Sequence, residues 1–150
     1  MTTQLRSSHP LLSGADVAAA GMTDALLLVG RVLIAAMFLM TVWFGSPNVG
    51  YLTSINVVSP EIMSPLARVA EWIIVISLVL GVGTRYGALL ALVFVVLATV
   101  AAHRWWTYPQ AGQLVQYTYL TKNLAVAGGI LVLFASGPGR FSVDAMLARR

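Results

Sequence analysis

The sequence predicts an all-α membrane protein, an antiparallel bundle of four transmembrane helices. The 150 residues are 59% hydrophobic and only 9% charged, whereas soluble domains typically carry about 25% charged residues. Four apolar stretches approach the roughly 20 residues that a helix needs to cross the hydrocarbon core. Their apolar residues are continuous rather than alternating, which disfavours a β-barrel.

The four predicted spans cover about 24–45, 65–82, 84–103 and 119–136. Ser64-Pro65 is a favourable cap and first-turn pair for the second span. The Gly81–Gly83 turn is so short that spans two and three must form a hairpin. Gly137-Pro138-Gly139 is a strong terminator for the fourth span. We expect residues 1–22 to form a polar N-terminal tail and residues 23–147 to form one transmembrane domain.

The distribution of basic residues predicts the orientation. Four spans place both termini on one side, which would hold Arg6, Arg85, Arg140, Arg149 and Arg150. The opposite side would hold Arg68, Arg104 and Lys122. Because basic loop residues favour the cytoplasm, we expect both termini to be cytoplasmic.

Charged residues in or at the ends of the spans are the candidates for function, namely Arg31, Arg68, Glu71, Arg104 and Lys122. An Arg or Lys at a helix centre costs roughly 2.5–3.5 kcal/mol on insertion scales. The predicted topology gathers all of them except Arg31, together with His103 and Asn123, near the outer ends of spans two to four. Two interpretations stay open: a polar ligand pocket around Glu71, and ion pairs that only hold helices together. A proton or ion pathway is less favoured because the inner halves of these spans are apolar.

Other residues are predicted to be structural. Arg31 lies near the inner end of span one, and Asp144 is its candidate partner by position. Gly128 and Gly129 predict a close approach of span four to a neighbouring helix, and Gly137 and Gly139 belong to the turn that ends it.

Several classes of site are absent from the sequence. It has no cysteine, and its two histidines are not at ligand spacing, so we expect no metal site and no haem. No nucleotide-binding or flavin motif is present. The net charge of +4 is dispersed along the chain, so nucleic acid is not an expected partner. As a lone chain this is a poor candidate for an enzyme.

The ordered set of polar and small residues is similar to the DoxX family of small four-helix bacterial membrane proteins. The matching features are Arg31, Phe38 and Gly45, then Glu71, Leu80-Gly81 and Thr84-Arg85, then His103, Trp106, Lys122-Asn123, Gly128-Gly129, Gly137-Pro138-Gly139 and Phe141–Asp144. This resemblance implies a multi-pass protein of the bacterial inner membrane that acts as an oxidoreductase component.

The resemblance also implies a ligand and a partner. A quinone would be the bound cofactor, with Glu71, His103, Lys122 and Asn123 around its head group near the outer face, and Arg68 and Trp106 as further candidates. Electrons would have to come from a soluble or membrane redox partner protein, and a homo-oligomer stays open. Two alternatives remain: a non-catalytic anchor or scaffold for a soluble redox protein, and a small-solute transporter, which is disfavoured because inverted repeats are not evident.

Overall fold

The predicted all-α membrane bundle is confirmed by a computed structural model, which describes residues 10–45 and 47–149, with side chains described from residue 21 onward. Its four long helices are α1 (Pro10–Phe44), α3 (Pro60–Leu80), α4 (Thr84–Ala102) and α5 (Gln110–Ser136), and its two short ones are α2 (Val49–Ser54) and α6 (Val143–Leu147). A single 3₁₀ turn, Trp105–Thr107, lies between α4 and α5. Each long helix contains a stretch long and apolar enough to cross a membrane.

Three of the four long helices, α1, α3 and α5, begin earlier in the chain than the predicted spans. Helix α1 begins at Pro10, so the described part of the predicted 1–22 tail is helical, and residues 1–9 lie outside the described residues. Helix α3 begins at Pro60 rather than at Pro65. Pro65 therefore lies inside α3, where it has no N–H to donate to the Glu61 carbonyl four residues earlier. Helix α5 begins at Gln110, so residues 110–118, which the prediction placed between the third and fourth spans, are helical.

The long helices pack in chain order. Helix α1 packs mainly on α3, α3 on α4, and α4 on α5, whereas α1 and α5 touch only lightly. The centre of the bundle is a small apolar core, in which Phe38, Ile74, Leu78, Ala88 and Ala91 are almost completely buried. Phe38 of α1 meets Phe94 of α4 edge to face at 5.7 Å between ring centroids. Three neighbouring pairs of long helices (α1–α3, α3–α4 and α4–α5) are therefore closely packed, whereas the fourth pair (α1–α5) is packed only loosely.

The bundle has two unlike ends. The hairpin end holds the Gly81–Gly83 turn and the segment 137–149 that follows α5. The loop end holds the connection 45–59 and the connection 103–109.

Candidate functional site

The C-terminal segment is bound to the α3–α4 turn at the hairpin end. Gly83 is the N-cap residue of α4 and offers no side chain that could cap the helix. The first backbone N–H groups of any helix have no partner inside the helix. Here Asp144, sixty residues downstream, accepts hydrogen bonds from the N–H groups of Gly83 at 2.7 Å and Thr84 at 2.9 Å. In return, the Asp144 N–H donates to the Gly81 carbonyl at 3.0 Å. The carboxylate therefore caps α4, where a negative charge also suits the helix dipole.

These contacts determine the charge state of Asp144. Burial by itself raises the pKa of a carboxyl group. Here that effect is outweighed by the hydrogen bonds from the N–H groups of Thr84 and Gly83 and by the positive charge of Arg31, so the pKa of Asp144 is lowered below its usual value. Asp144 is therefore ionised at neutral pH.

Arg31 is completely buried in the same region, with 0% of its surface exposed. Its Nη2 donates to the Phe141 carbonyl at 2.6 Å. Among the described residues, its Nε and Nη1 atoms have no hydrogen-bond acceptor. Leaving a buried donor unpaired typically costs about 1–3 kcal/mol, and more when the group is charged.

Arg31 is accommodated because Gly81 has no side chain. A Cβ at Gly81 would collide with Arg31 Nη1 and would lie 2.5 Å from the Ser142 Cβ. The Gly81 backbone also has a φ of 69°, which L-residues rarely adopt. The α3–α4 turn, Arg31 and the C-terminal segment therefore form one packed unit, which we call the hairpin-end cluster (Arg31, Gly81, Gly83, Thr84, Phe141, Ser142 and Asp144).

A second link joins α1 to the same segment. Asp24 accepts a hydrogen bond from the Arg140 N–H at 2.8 Å and pairs with the Arg140 side chain at 3.4 Å. Gly139 lies directly against Asp24 and Leu27, and Gly137 lies beside the Arg85 guanidinium. The turn that ends α5 thus touches both α1 and α4.

A groove of about 510 Å³ lies between α1 and α5, next to the hairpin-end cluster. Its walls are mainly aliphatic, and Arg31 is the charged residue that borders it; the lining is Thr23, Leu26, Leu27, Gly30, Arg31, Leu33, Ile34, Gly129, Val132 and Leu133. Added Cβ atoms at Gly30 and Gly129 would meet nothing within 4 Å of the described structure. Missing side chains on both walls help to keep the groove open.

The loop end contains most of the residues predicted to line a ligand site. His103 Nδ1 and Gln116 Oε1 lie 2.8 Å apart, and the His103 ring lies 5.1 Å from the Tyr119 ring. Asn123 Nδ2 donates to Thr99 Oγ1 at 2.8 Å. These contacts join the end of α4 to α5, and each of the hydrogen bonds engages one polar atom of a residue predicted to bind a ligand.

The other predicted site residues point in different directions. Glu71 is buried, with 1% of its surface exposed, whereas Arg68 is exposed on the same helix. Lys122 is exposed, and its Nζ lies 5.9 Å from the Tyr119 ring centroid. Trp106 is 61% exposed, as expected for a side chain in the interfacial belt.

Of the residues predicted to be structural, the glycines of α5 and the Arg31–Asp144 pair differ in their surroundings. Gly128 and Gly129 were expected at a helix contact, but Cβ atoms there would meet nothing within 4 Å of the described residues. Arg31 and Asp144 lie in one cluster, where the charge of Arg31 lowers the pKa of Asp144, although the Arg31 hydrogen bond goes to Phe141. No group of His, Cys, Asp and Glu among the described residues could hold a metal ion.

Fold and site together define a small four-span membrane protein with a lateral groove and a polar cluster at one end. The chain belongs to the SURF4 family, whose model matches residues 14–149. The similarity to the DoxX family inferred from the sequence is therefore wrong: its motifs, mostly single residues at loose spacing, did not separate the two families.

Known relatives agree with a membrane location. The chain is 29% identical to the inner membrane protein YphA of Escherichia coli over 79% of the chain and 88% of that protein. It is 28% identical to the inner membrane protein YqjF of Escherichia coli, over 85% and 95% of the two chains. A Surfeit locus protein 4 homolog of Drosophila melanogaster is 29% identical over 78% of the chain, which spans only 39% of that relative. No solved structure matches the chain.

Proposed function

We propose that this protein binds a bilayer lipid, whose hydrocarbon chain lies in the groove between α1 and α5. The observation that carries the proposal is the groove itself, which is aliphatic and lies between two helices that are long and apolar enough to cross a membrane. Its volume of about 510 Å³ falls within the roughly 300–1,000 Å³ of typical small-molecule sites.

The shape of the groove suits a lipid chain. A flexible hydrocarbon chain can follow an aliphatic groove along its length, whereas a helix about 10 Å in diameter could place only one face against it. Gly30 and Gly129 leave room for such a chain without displacing a side chain.

Lipid retention through purification tests this proposal. Native mass spectrometry of the detergent-purified chain should show one bound lipid per chain. Gly129→Leu should reduce that occupancy at least fivefold because the new side chain projects from a groove-lining position. Gly128→Leu is the matched control: Gly128 also faces open space but does not line the groove. Equal occupancy in both variants, or no bound lipid in the natural chain, would contradict the proposal.

A quinone-linked redox role is the more specific form of the proposal, because an isoprenoid quinone is also a membrane amphiphile. It has less support than lipid binding, because it was based on the similarity to the DoxX family. In addition, His103 and Asn123 already have Gln116 and Thr99 as partners. Organic extracts of the same preparation decide it. Stoichiometric quinone would support a redox subunit, whereas lipid without quinone, together with a co-purifying soluble redox protein, would support the scaffold alternative.

The orientation also remains a proposal. In the sequence, five basic residues fall on the side of the termini and three on the other side, which supports cytoplasmic termini. Of the five, the structure describes Arg85, Arg140 and Arg149. A reporter that works only in the cytoplasm should be active when it is fused after residue 150. If only a reporter that works on the opposite side of the membrane is active there, the orientation is the reverse.

A further inference from the structure

We propose that Arg31 recognises the anionic headgroup of the lipid whose chain lies in the α1–α5 groove. This inference rests on the proposed lipid binding and adds the chemical class of the ligand, an anionic phospholipid. It follows from the hydrogen bonding of Arg31, from the charges around it and from its depth.

Arg31 has donor capacity that the described protein does not use. It borders the groove, none of its surface is open to water, and its Nε and Nη1 lack acceptors among the described residues. A guanidinium presents its donors in a planar fork that matches the oxygens of a phosphate or carboxylate. The unpaired Nε and Nη1 are therefore suited to an oxyanion.

The acidic residues described near Arg31 balance its positive charge only in part. Asp144 is close enough for the two charges to attract, but the described residues show no Arg31–Asp144 ion pair within 4.0 Å. Both Asp144 oxygens instead accept hydrogen bonds from Gly83 and Thr84. The Asp24 carboxylate is engaged by Arg140. The two carboxylates described near this end of α1 thus have other partners, and the guanidinium can take an external anion.

The depth of Arg31 suits a headgroup. Arg31 lies level with the α3–α4 turn, where its side chain packs on Gly81. The same end carries the exposed residues Arg85 and Arg140, which place it at the membrane–water boundary. A lipid phosphate at this level would leave its hydrocarbon chain beside the deeper lining residues of the groove, Leu33, Ile34 and Gly129.

Binding requires a local opening, because Arg31 is covered. Phe141 and Ser142 lie over it, with the Phe141 carbonyl on Nη2 and Ser142 against Gly81. These residues belong to the segment 137–149, which Asp144 fastens to α4. A ligand that binds the opened form shifts the population towards it. The phosphate would then accept hydrogen bonds from Nε and Nη1, the two donors that lack a protein partner among the described residues.

The test measures headgroup preference by native mass spectrometry of the full chain, titrated with phosphatidylglycerol or phosphatidylcholine of the same acyl composition. The natural chain should bind phosphatidylglycerol at least tenfold more tightly. Arg31→Gln should remove that preference and keep chain binding, whereas Arg31→Lys should retain part of it. Gly129→Leu should lower binding of both lipids equally.

The outcomes separate the two proposals. If the natural chain binds both lipids equally, or if Arg31→Gln keeps the tenfold preference, the role of Arg31 is refuted while the groove stands. If neither lipid binds, the proposed function itself fails. Should Arg31→Gln not fold, the titration of the natural chain still decides. Millimolar inorganic phosphate should not displace the lipid, and displacement would show that the anion site serves free phosphate instead.

Discussion

Loss of the Asp144 carboxylate should unfasten the C-terminal segment from α4. In Asp144→Ala, the N–H groups of Gly83 and Thr84 lose acceptors at 2.7 and 2.9 Å. Hydrogen bonds to a charged group contribute about 1.5–3 kcal/mol each. Water at the bundle end can replace part of this, so we expect the free energy of unfolding to fall by about 3 kcal/mol in total. Asp144→Asn keeps one acceptor oxygen and should lose about half as much.

The assay is denaturant unfolding in mild detergent, followed by the fluorescence of the four tryptophans. Glu61→Gln makes the same kind of change on an exposed acidic residue at the opposite end of the bundle, and we expect it to change the unfolding free energy by less than about 0.5 kcal/mol.

The effect of Asp144 should depend on pH in one direction. Its folded pKa lies below its usual value, and the unfolded value is about 3.9. The stabilisation is therefore complete above about pH 4 and is lost as the pH falls through the folded pKa. The difference between the natural chain and Asp144→Ala should shrink over that range. A difference that stays constant from pH 7 to pH 3, or one as small as that of Glu61→Gln, would refute this account of the C-terminal anchor.

Three further predictions use the same unfolding assay. Gly81→Ala should cost at least 2 kcal/mol more than Gly83→Ala, by the order of magnitude of other steric clashes: both have positive φ, but only at Gly81 would the Cβ collide with neighbours. Equal costs would show that Arg31 does not pack there. Asp24→Asn should cost less than about 1 kcal/mol because its pair with Arg140 is exposed. Asn123→Ala should cost about 1 kcal/mol through the lost Thr99 bond, and no change would mean that α4 and α5 do not depend on it.

Much of the fold was predictable because a membrane span is specified by length and apolarity alone. The hairpin was predictable because three residues, Gly81–Gly83, cannot connect parallel helices. The placement of Asp144 beside Arg31 in one cluster also followed from chain position, since both come at the same end of an antiparallel bundle.

The direction of each side chain was harder to predict than its depth. Arg68 and Glu71 are three residues apart, which rotates one by about 60° from the other around the helix. That rotation suffices to bury Glu71 and to expose Arg68 to the surroundings. Depth alone therefore grouped residues that do not share a surface.

No residue pattern in the sequence predicts the groove between α1 and α5. Gly128-Gly129 looks like a packing notch in the sequence, but whether a helix fills such a notch depends on how the bundle closes. Here α5 packs on α4 and barely reaches α1, so one glycine lines a groove and the other faces outward. Unpaired donors on Arg31 depend in the same way on the path of residues 137–149.

Photocrosslinking tests the central claim, a lipid chain between α1 and α5, most directly. The natural chain would be reconstituted with phosphatidylglycerol that carries a diazirine in its acyl chain, and the labelled peptides would be mapped. Labelling should concentrate at least fivefold on residues 26–34 and 129–133 relative to residues 93–97 of α4, an equally apolar stretch outside the groove. Equal labelling of the three stretches would contradict the claim.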